Sequence, residues 1–281
     1  MELICSEVWG GNRSVNTSVK LPGMTGWAYS SPCDGSRGGD VHYLSTCGAG
    51  LISRIVLADV VGHGQQVAQM SGWIHGLLRR YINDPNPERM LSSLNQQICD
   101  AGFRALTTAA FLTYYAPTGV VRFGYAGHPP ALLRRGPEGD WMRLEVGQRL
   151  QPRRRDPDPE VFFNMPLGVD PDTCFEVGQA RLEAGDRLVV FSDGVLETPS
   201  PEGGAFAEGG LQELLDRHQG LPAQEAGPAL LDGLHRFAGR DELAHDDISL
   251  ILLDAGERPS GPKMLHMLRN RARQAYRRLT V

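Results

Sequence analysis

The 281-residue chain has no unbroken run of about 18 apolar residues, so no part of it suits a bilayer-spanning helix. Its best apolar stretch, Leu51 to Val61, is interrupted by Arg54 and Asp59. The opening Met1-Glu2-Leu3-Ile4-Cys5-Ser6-Glu7 has no basic region and no long apolar core, and does not read as a secretory signal. Cysteine is scarce: residues 5, 33, 47, 99 and 174 are odd in number and contain no CxxC pair. That argues against a disulfide frame and against a thiolate metal site, and the expectation is reduced thiols in a cytoplasmic protein. The Asn-x-Ser/Thr triplets at Asn12 and Asn16 are then chance. There is no internal repeat.

Positive charge is short in most of the chain. The net charge is −5, but residues 263–281 hold six of the 28 basic residues and none of the 33 acids, which leaves residues 1–262 at −11. An acidic body excludes sequence-independent nucleic-acid binding by the main domain and suits carboxylates gathered around cations. With 41% hydrophobic and 22% charged residues the chain is globular in composition, and 34 glycines with 19 prolines imply many turns rather than an all-helical bundle.

The patterning predicts strands over 25–31, 40–46, 51–58, 108–116, 120–126, 131–134, 141–145, 174–182, 187–192 and 248–253. Apolar residues at 67, 70, 74, 77, 78 and 81, and at 90, 91, 94 and 98, predict two helices over 65–82 and 88–103, with two more near 209–217 and 222–238. Residues 1–24 read as an irregular lead-in or an edge strand, 25–254 as the main domain, 149–160 as an exposed charged loop and 255–262 as a linker. Strands paired through short turns, with helices inserted between groups, predict antiparallel α+β layers rather than βαβ repeats.

The acids carry the chemistry. If the turn between the second and third strands is centred between Ala49 and Gly50, facing residues sum to 99 and Asp40 meets Asp59. Like charges directly opposed are destabilising, and a cation between them resolves the conflict. By the same logic Asp193, ending one strand, meets Asp246, preceding the last. Oxygen-only ligands suit hard cations, Mn²⁺ or Mg²⁺. Each Asp taken singly fits ordinary turn chemistry equally well.

Six segments resemble the metal-dependent protein phosphatase (PPM, phosphatase 2C-like) family in its SpoIIE-like bacterial branch. They are Gly38-Gly39-Asp40, Leu57-Ala58-Asp59-Val60-Val61-Gly62-His63-Gly64, Tyr125-Ala126-Gly127-His128-Pro129-Pro130, Pro166-Leu167-Gly168-Val169, Gly185-Asp186 through Asp193-Gly194-Val195-Leu196-Glu197, and Asp246-Asp247-Ile248-Ser249. They follow the family's order. The resemblance implies a four-layer α-β-β-α sandwich of two antiparallel sheets flanked by helices. It implies two Mn²⁺ or Mg²⁺ ions, Asp59 bridging them, Asp40 and the Val60 carbonyl completing one shell, and Asp193 and Asp246 holding the other. It implies a protein serine/threonine phosphatase using a metal-activated water, acting on a phosphorylated anti-anti-sigma (STAS-type) regulator. Many relatives carry an acid where this chain has Tyr43, and relatives of this branch often carry upstream sensor domains, for which residues 1–24 leave no room.

Two other functions fit the same motifs: a small-molecule phosphomonoesterase with the same ions, and a pseudophosphatase that only binds partners. His63 is a candidate proton donor to the leaving group or a helix-start residue, His128 a turn histidine, and His245 a support for Asp246. His75, His218 and His235 fall in helical patterns as fillers, and Arg37 is a candidate phosphate contact. Residues 263–279 can form a basic amphipathic helix, which would dock on the acidic body, bind a partner, or touch an anionic membrane or nucleic acid.

Overall fold

The computed structural model describes residues 5–33, 36–47, 50–62, 64–81, 83–102, 106–147 and 164–258. The charged loop at 149–160 and the basic helix at 263–281 lie outside the described residues. Among the described residues twelve strands form two six-stranded sheets, and every ladder within them is antiparallel.

The first sheet contains β1 (Cys5–Gly11), β4 (Val41–Cys47), β5 (Ile52–Val60), β6 (Thr107–Tyr115), β7 (Val120–Ala126) and β10 (Gly178–Arg181), in the order β1-β4-β5-β6-β7-β10. The second contains β2 (Val15–Leu21), β3 (Met24–Ser31), β8 (Leu132–Arg134), β9 (Trp141–Arg143), β11 (Arg187–Phe191) and β12 (Ile248–Ala255), in the order β2-β3-β12-β11-β8-β9. Helices α1 (Gln65–Arg80) and α2 (Pro87–Asp100) cover the first sheet; α4 (Ala207–Arg217) and α5 (Ala223–Ala238) cover the second. A single helical turn, α3 (Asp193–Leu196), follows β11.

Period-two alternation builds the layers. On β5, Ile55 and Leu57 enter the core between the sheets, while Val56, Ala58 and Val60 pack under α1 and α2. On β12, Ile251 and Leu253 face the other sheet, while Ile248, Leu250 and Leu252 pack under α4 and α5. The result is the α-β-β-α sandwich. Helix α2 starts as its residues dictate, with the Asn86 side chain accepting the Glu88 N–H at 3.1 Å and Pro87 in the first turn. Helix α1 has no side-chain cap; it begins on Gly64 at φ +93°, a conformation open to glycine.

Residues 5–21 take the edge-strand alternative read for 1–24, supplying an edge strand to each sheet. One boundary differs from the sequence reading. The last strand runs to Ala255, and Arg258 still pairs with Glu183, so the linker placed at 255–262 begins later.

Candidate active site

The β4–β5 register fixes one half of the site. Val41 faces Ala58 and Thr46 faces Ser53, the alignment expected from the glycine turn, so Asp40 and Asp59 stand at the open end of one ladder. Both fall on the alternation that faces the second sheet, Asp40 in step with Leu44 and Asp59 with Leu57. The second half comes from β11 and β12, where Phe191 faces Leu250. Asp193 opens α3 immediately after β11 and Asp246 precedes β12, so both lie at the end of the second sheet that meets the first.

The electrostatics record the convergence. Burial and then the charges of Asp193, Asp246, Asp247 and Glu197 push the Asp59 carboxyl up to about 7. Asp40, only 2% exposed, is raised well above the carboxylate range by burial and by Asp59, and neither of its oxygens has a hydrogen-bond partner of normal geometry. The Ser249 and Ser192 hydroxyls stand close enough to offset part of that rise. Asp246 and Glu197 are both raised, by burial first and then by Asp193. A buried carboxylate without donors is costly unless a cation or proton neutralises it. Hard oxygen donors, no thiolate and excess negative charge fit divalent magnesium or manganese. Among the described residues no three His, Cys, Asp or Glu side chains already form a closed ligand cage, so an ion would have to draw these carboxylates together.

Asp247, passed over in favour of Asp246, has a different task. Its carboxylate accepts the N–H groups of Cys33 at 2.7 Å, Asp40 at 3.1 Å and Gly39, and so ties both ends of the connection from β3 to β4 to the residue preceding β12. Glycines make the approach possible. A Cβ on Gly38 would lie 2.2 Å from an Asp247 oxygen, and one on Gly194 would lie 2.1 Å from the Asp247 carbonyl. A buried serine cluster was also missed: Ser249 Oγ donates to Ser30 Oγ at 3.0 Å and the Ser249 N–H to Ser192 Oγ at 2.9 Å. The signal was available, since 247 and 249 share the inward alternation of Ile251 and Leu253.

His63 lies outside the described residues. His128 is a turn histidine, its Nδ1 2.9 Å from the Pro129 carbonyl, and burial lowers its pKa to about 4. His245 touches the Gly194 carbonyl at 2.8 Å and thereby braces the Asp193 turn rather than Asp246 itself. Arg37 is exposed next to Gly38. Tyr43 points under α1, into the helix-side core. Asp186, also in the matching segments, serves structure: it accepts from Arg135 at 2.7 Å, Gly136 at 3.0 Å and Glu183 at 2.9 Å.

The chain is similar to known proteins. The chain is 28% identical over 208 residues to phosphoserine phosphatase RsbU of Bacillus subtilis, covering 71% of this chain and 54% of that protein. It is 25% identical over 208 residues to phosphoserine phosphatase RsbP of the same organism, covering 71% and 45%. It thus spans about half the length of the curated relatives it matches. The fold superposes on the structure of the RsbU and RsbW domains of Rv1364c from Mycobacterium tuberculosis with TM-score 0.69 and 21% identity, over 88% of this chain and 64% of that one. The model of Stage II sporulation protein E matches residues 53–256, which run from β5, with its Asp59, through the Asp193 turn to the end of β12. With most of the sandwich and three of its four converging aspartates inside that match, the chain belongs to the SpoIIE family.

Proposed function

We propose that this chain is a metal-dependent protein phosphatase that hydrolyses phosphoserine or phosphothreonine. The observation that carries the reading is the buried, unpartnered Asp40 carboxylate meeting Asp59 where Asp193 and Asp246 arrive from the other sheet. Asp59, Asp40 and the Val60 carbonyl would hold one ion, and Asp59, Asp193 and Asp246 the other. Mn²⁺ or Mg²⁺ held there would supply an activated water and neutralise the phosphate dianion. Asp247 keeps Asp40 in place through the 33–40 backbone, and His245 steadies the Asp193 turn. The leaving serine oxygen needs a proton, and His63 is the proposed donor.

The proposed substrate is a phosphorylated STAS-type regulator, and the proposed setting is the cytoplasm. Support comes from the family resemblance. The test is turnover of a serine-phosphorylated STAS-domain protein and of p-nitrophenyl phosphate, with and without Mn²⁺, beside Asp59→Ala. Mn²⁺-dependent release from the phosphoprotein, abolished in the variant, supports the reading. Equal rates in wild type and variant refute it, and turnover of the small ester alone favours a small-molecule phosphomonoesterase.

A further inference from the structure

Strand β1 ends with Gly11 facing His42, so the next residue, Asn12, stands beside the Asp40 end of β4. Asn12 is only 6% exposed although it lies in the connection between two edge strands. Its backbone carbonyl accepts the Gly38 N–H at 2.9 Å. Its side-chain amide donates back to the Gly38 carbonyl at 3.2 Å and across to the Ala68 carbonyl on α1 at 2.9 Å. The amide has two protons, and both are used.

A second tie comes from α1 itself. The fully buried Ser71 hydroxyl lies 2.8 Å from the Gly39 carbonyl and 2.8 Å from the Val67 carbonyl one turn back. A serine inside a helix does nothing for the helix, so the bond out to Gly39 is the one that gives this residue a use. The Gly39 carbonyl also takes the Val60 N–H, at a longer 3.4 Å. The segment held in this way lies against the ligand set. A Cβ on Gly39 would lie 2.7 Å from the Val60 carbonyl oxygen and 3.3 Å from an Asp59 oxygen. Asp40 follows directly, and with no donor of normal geometry on its oxygens its carboxylate is placed by the backbone that bears it.

We propose that Asn12 and Ser71 are positioning residues for the ion that Asp40, Asp59 and the Val60 carbonyl would hold. The inference rests on the metal-dependent phosphatase reading above. Asp247 grips the Gly39 and Asp40 N–H groups from the second sheet, while Asn12 and Ser71 grip Gly38 and Gly39 from the edge-strand connection and from the helix layer. Neither Asn12 nor Ser71 carries a charge, so they add nothing to the attraction of a cation. They act by geometry: a ligand-bearing segment that is already ordered loses no freedom when the ion arrives. Asn12 lies ahead of residue 53, where the SpoIIE match begins, so that match does not assign it.

The experiment titrates the full chain with Mn²⁺ in a calorimeter and follows the Mn²⁺ dependence of p-nitrophenyl phosphate turnover. Wild type is compared with Asn12→Ala, Ser71→Ala and Asn95→Ala. Alanine is the best helix former, so Ser71→Ala leaves α1 intact and decides alone if Asn12→Ala does not fold. Asn95→Ala is the control: it removes two buried bonds, to Gly168 and Asp170, neither of them to the 38–40 segment. The expected result is a rise in the Kd for Mn²⁺ of about tenfold in Asn12→Ala and Ser71→Ala. Turnover in both should return toward the wild-type kcat as Mn²⁺ is raised, with KM for the ester unchanged. Asn95→Ala should lower the urea midpoint and keep the wild-type Kd. An unchanged Kd in either variant removes that residue from the proposal, and an equal rise in Asn95→Ala overturns it for both. If wild type takes up no Mn²⁺, the metal-dependent reading falls first. If wild type binds Mn²⁺ and both variants bind it as tightly, the positioning role alone falls.

Discussion

At the scale of single residues, the site is defined by charges held where water cannot relieve them. Asp59 has its carboxyl raised to about 7, against an ordinary 3.8. A carboxyl raised in the native state stabilises most below the unfolded value and loses that contribution as pH climbs through the native one. Metal-free protein should therefore lose stability between pH 4 and 7 from this group. At pH 8 without metal, Asp59→Asn should melt a few degrees above wild type, and added Mn²⁺ should raise the melting temperature of wild type but not of the variant. Differential scanning fluorimetry reads both. His42 runs the opposite way. Buried beside Trp9, with neither ring nitrogen hydrogen-bonded, it is lowered from 6.5 to about 4, by burial first and then by the neighbouring His75. Its contribution is intact above pH 6.5 and is lost as the pH falls toward 4, because the unfolded chain takes up the proton first. His42→Leu should flatten the decline in urea midpoint across that window, and an equally steep decline in the variant would count against it.

At the scale of elements, loops and strand ends hold the chemistry, and close backbone contacts hold the loops. Gly38→Ala would force a Cβ against Asp247 and release its grip on the 33–40 segment, with an expected loss of about 1–3 kcal/mol in urea unfolding and of most Mn²⁺-dependent turnover. Asn95→Ala leaves the Gly168 N–H and Asp170 carbonyl unpaired and should cost about 1–3 kcal/mol on the same measure. The glycine turn after Cys47 and the apolar alternation of β4 and β5 made their register, and so the Asp40–Asp59 meeting, legible from the sequence. The two amphipathic helices over α1 and α2 were legible for the same reason, a periodic apolar face. Strands β1 and β2 were legible only as one of two alternatives for residues 1–24. Each is an edge strand, β2 buries only alternate residues among polar ones, and β1 changes register between Glu7 and Trp9, which breaks the period. The single turn of α3 is too short to show a helical period. Composition does not separate Asp246 from Asp247; the inward alternation that 247 shares with Ser249, Ile251 and Leu253 does.

At the scale of the whole molecule, three apolar layers alternate with the backbone layers: one between the sheets and one under each helix pair. Divalent ions that bind only the native arrangement should add about 2.7 kcal/mol at a hundredfold excess over Kd. A Mn²⁺ series followed by thermal melting should show that logarithmic climb in wild type and none in Asp193→Asn. The carboxylates arrive as two pairs, Asp40 and Asp59 from one sheet, Asp193 and Asp246 from the other, and among the described residues no ladder bonds run between those sheets. Their spacing is thus a vernier on the seam of the sandwich. A slip of one slab along the other, too slight to wet a single core side chain, would open or narrow the gap between the pairs.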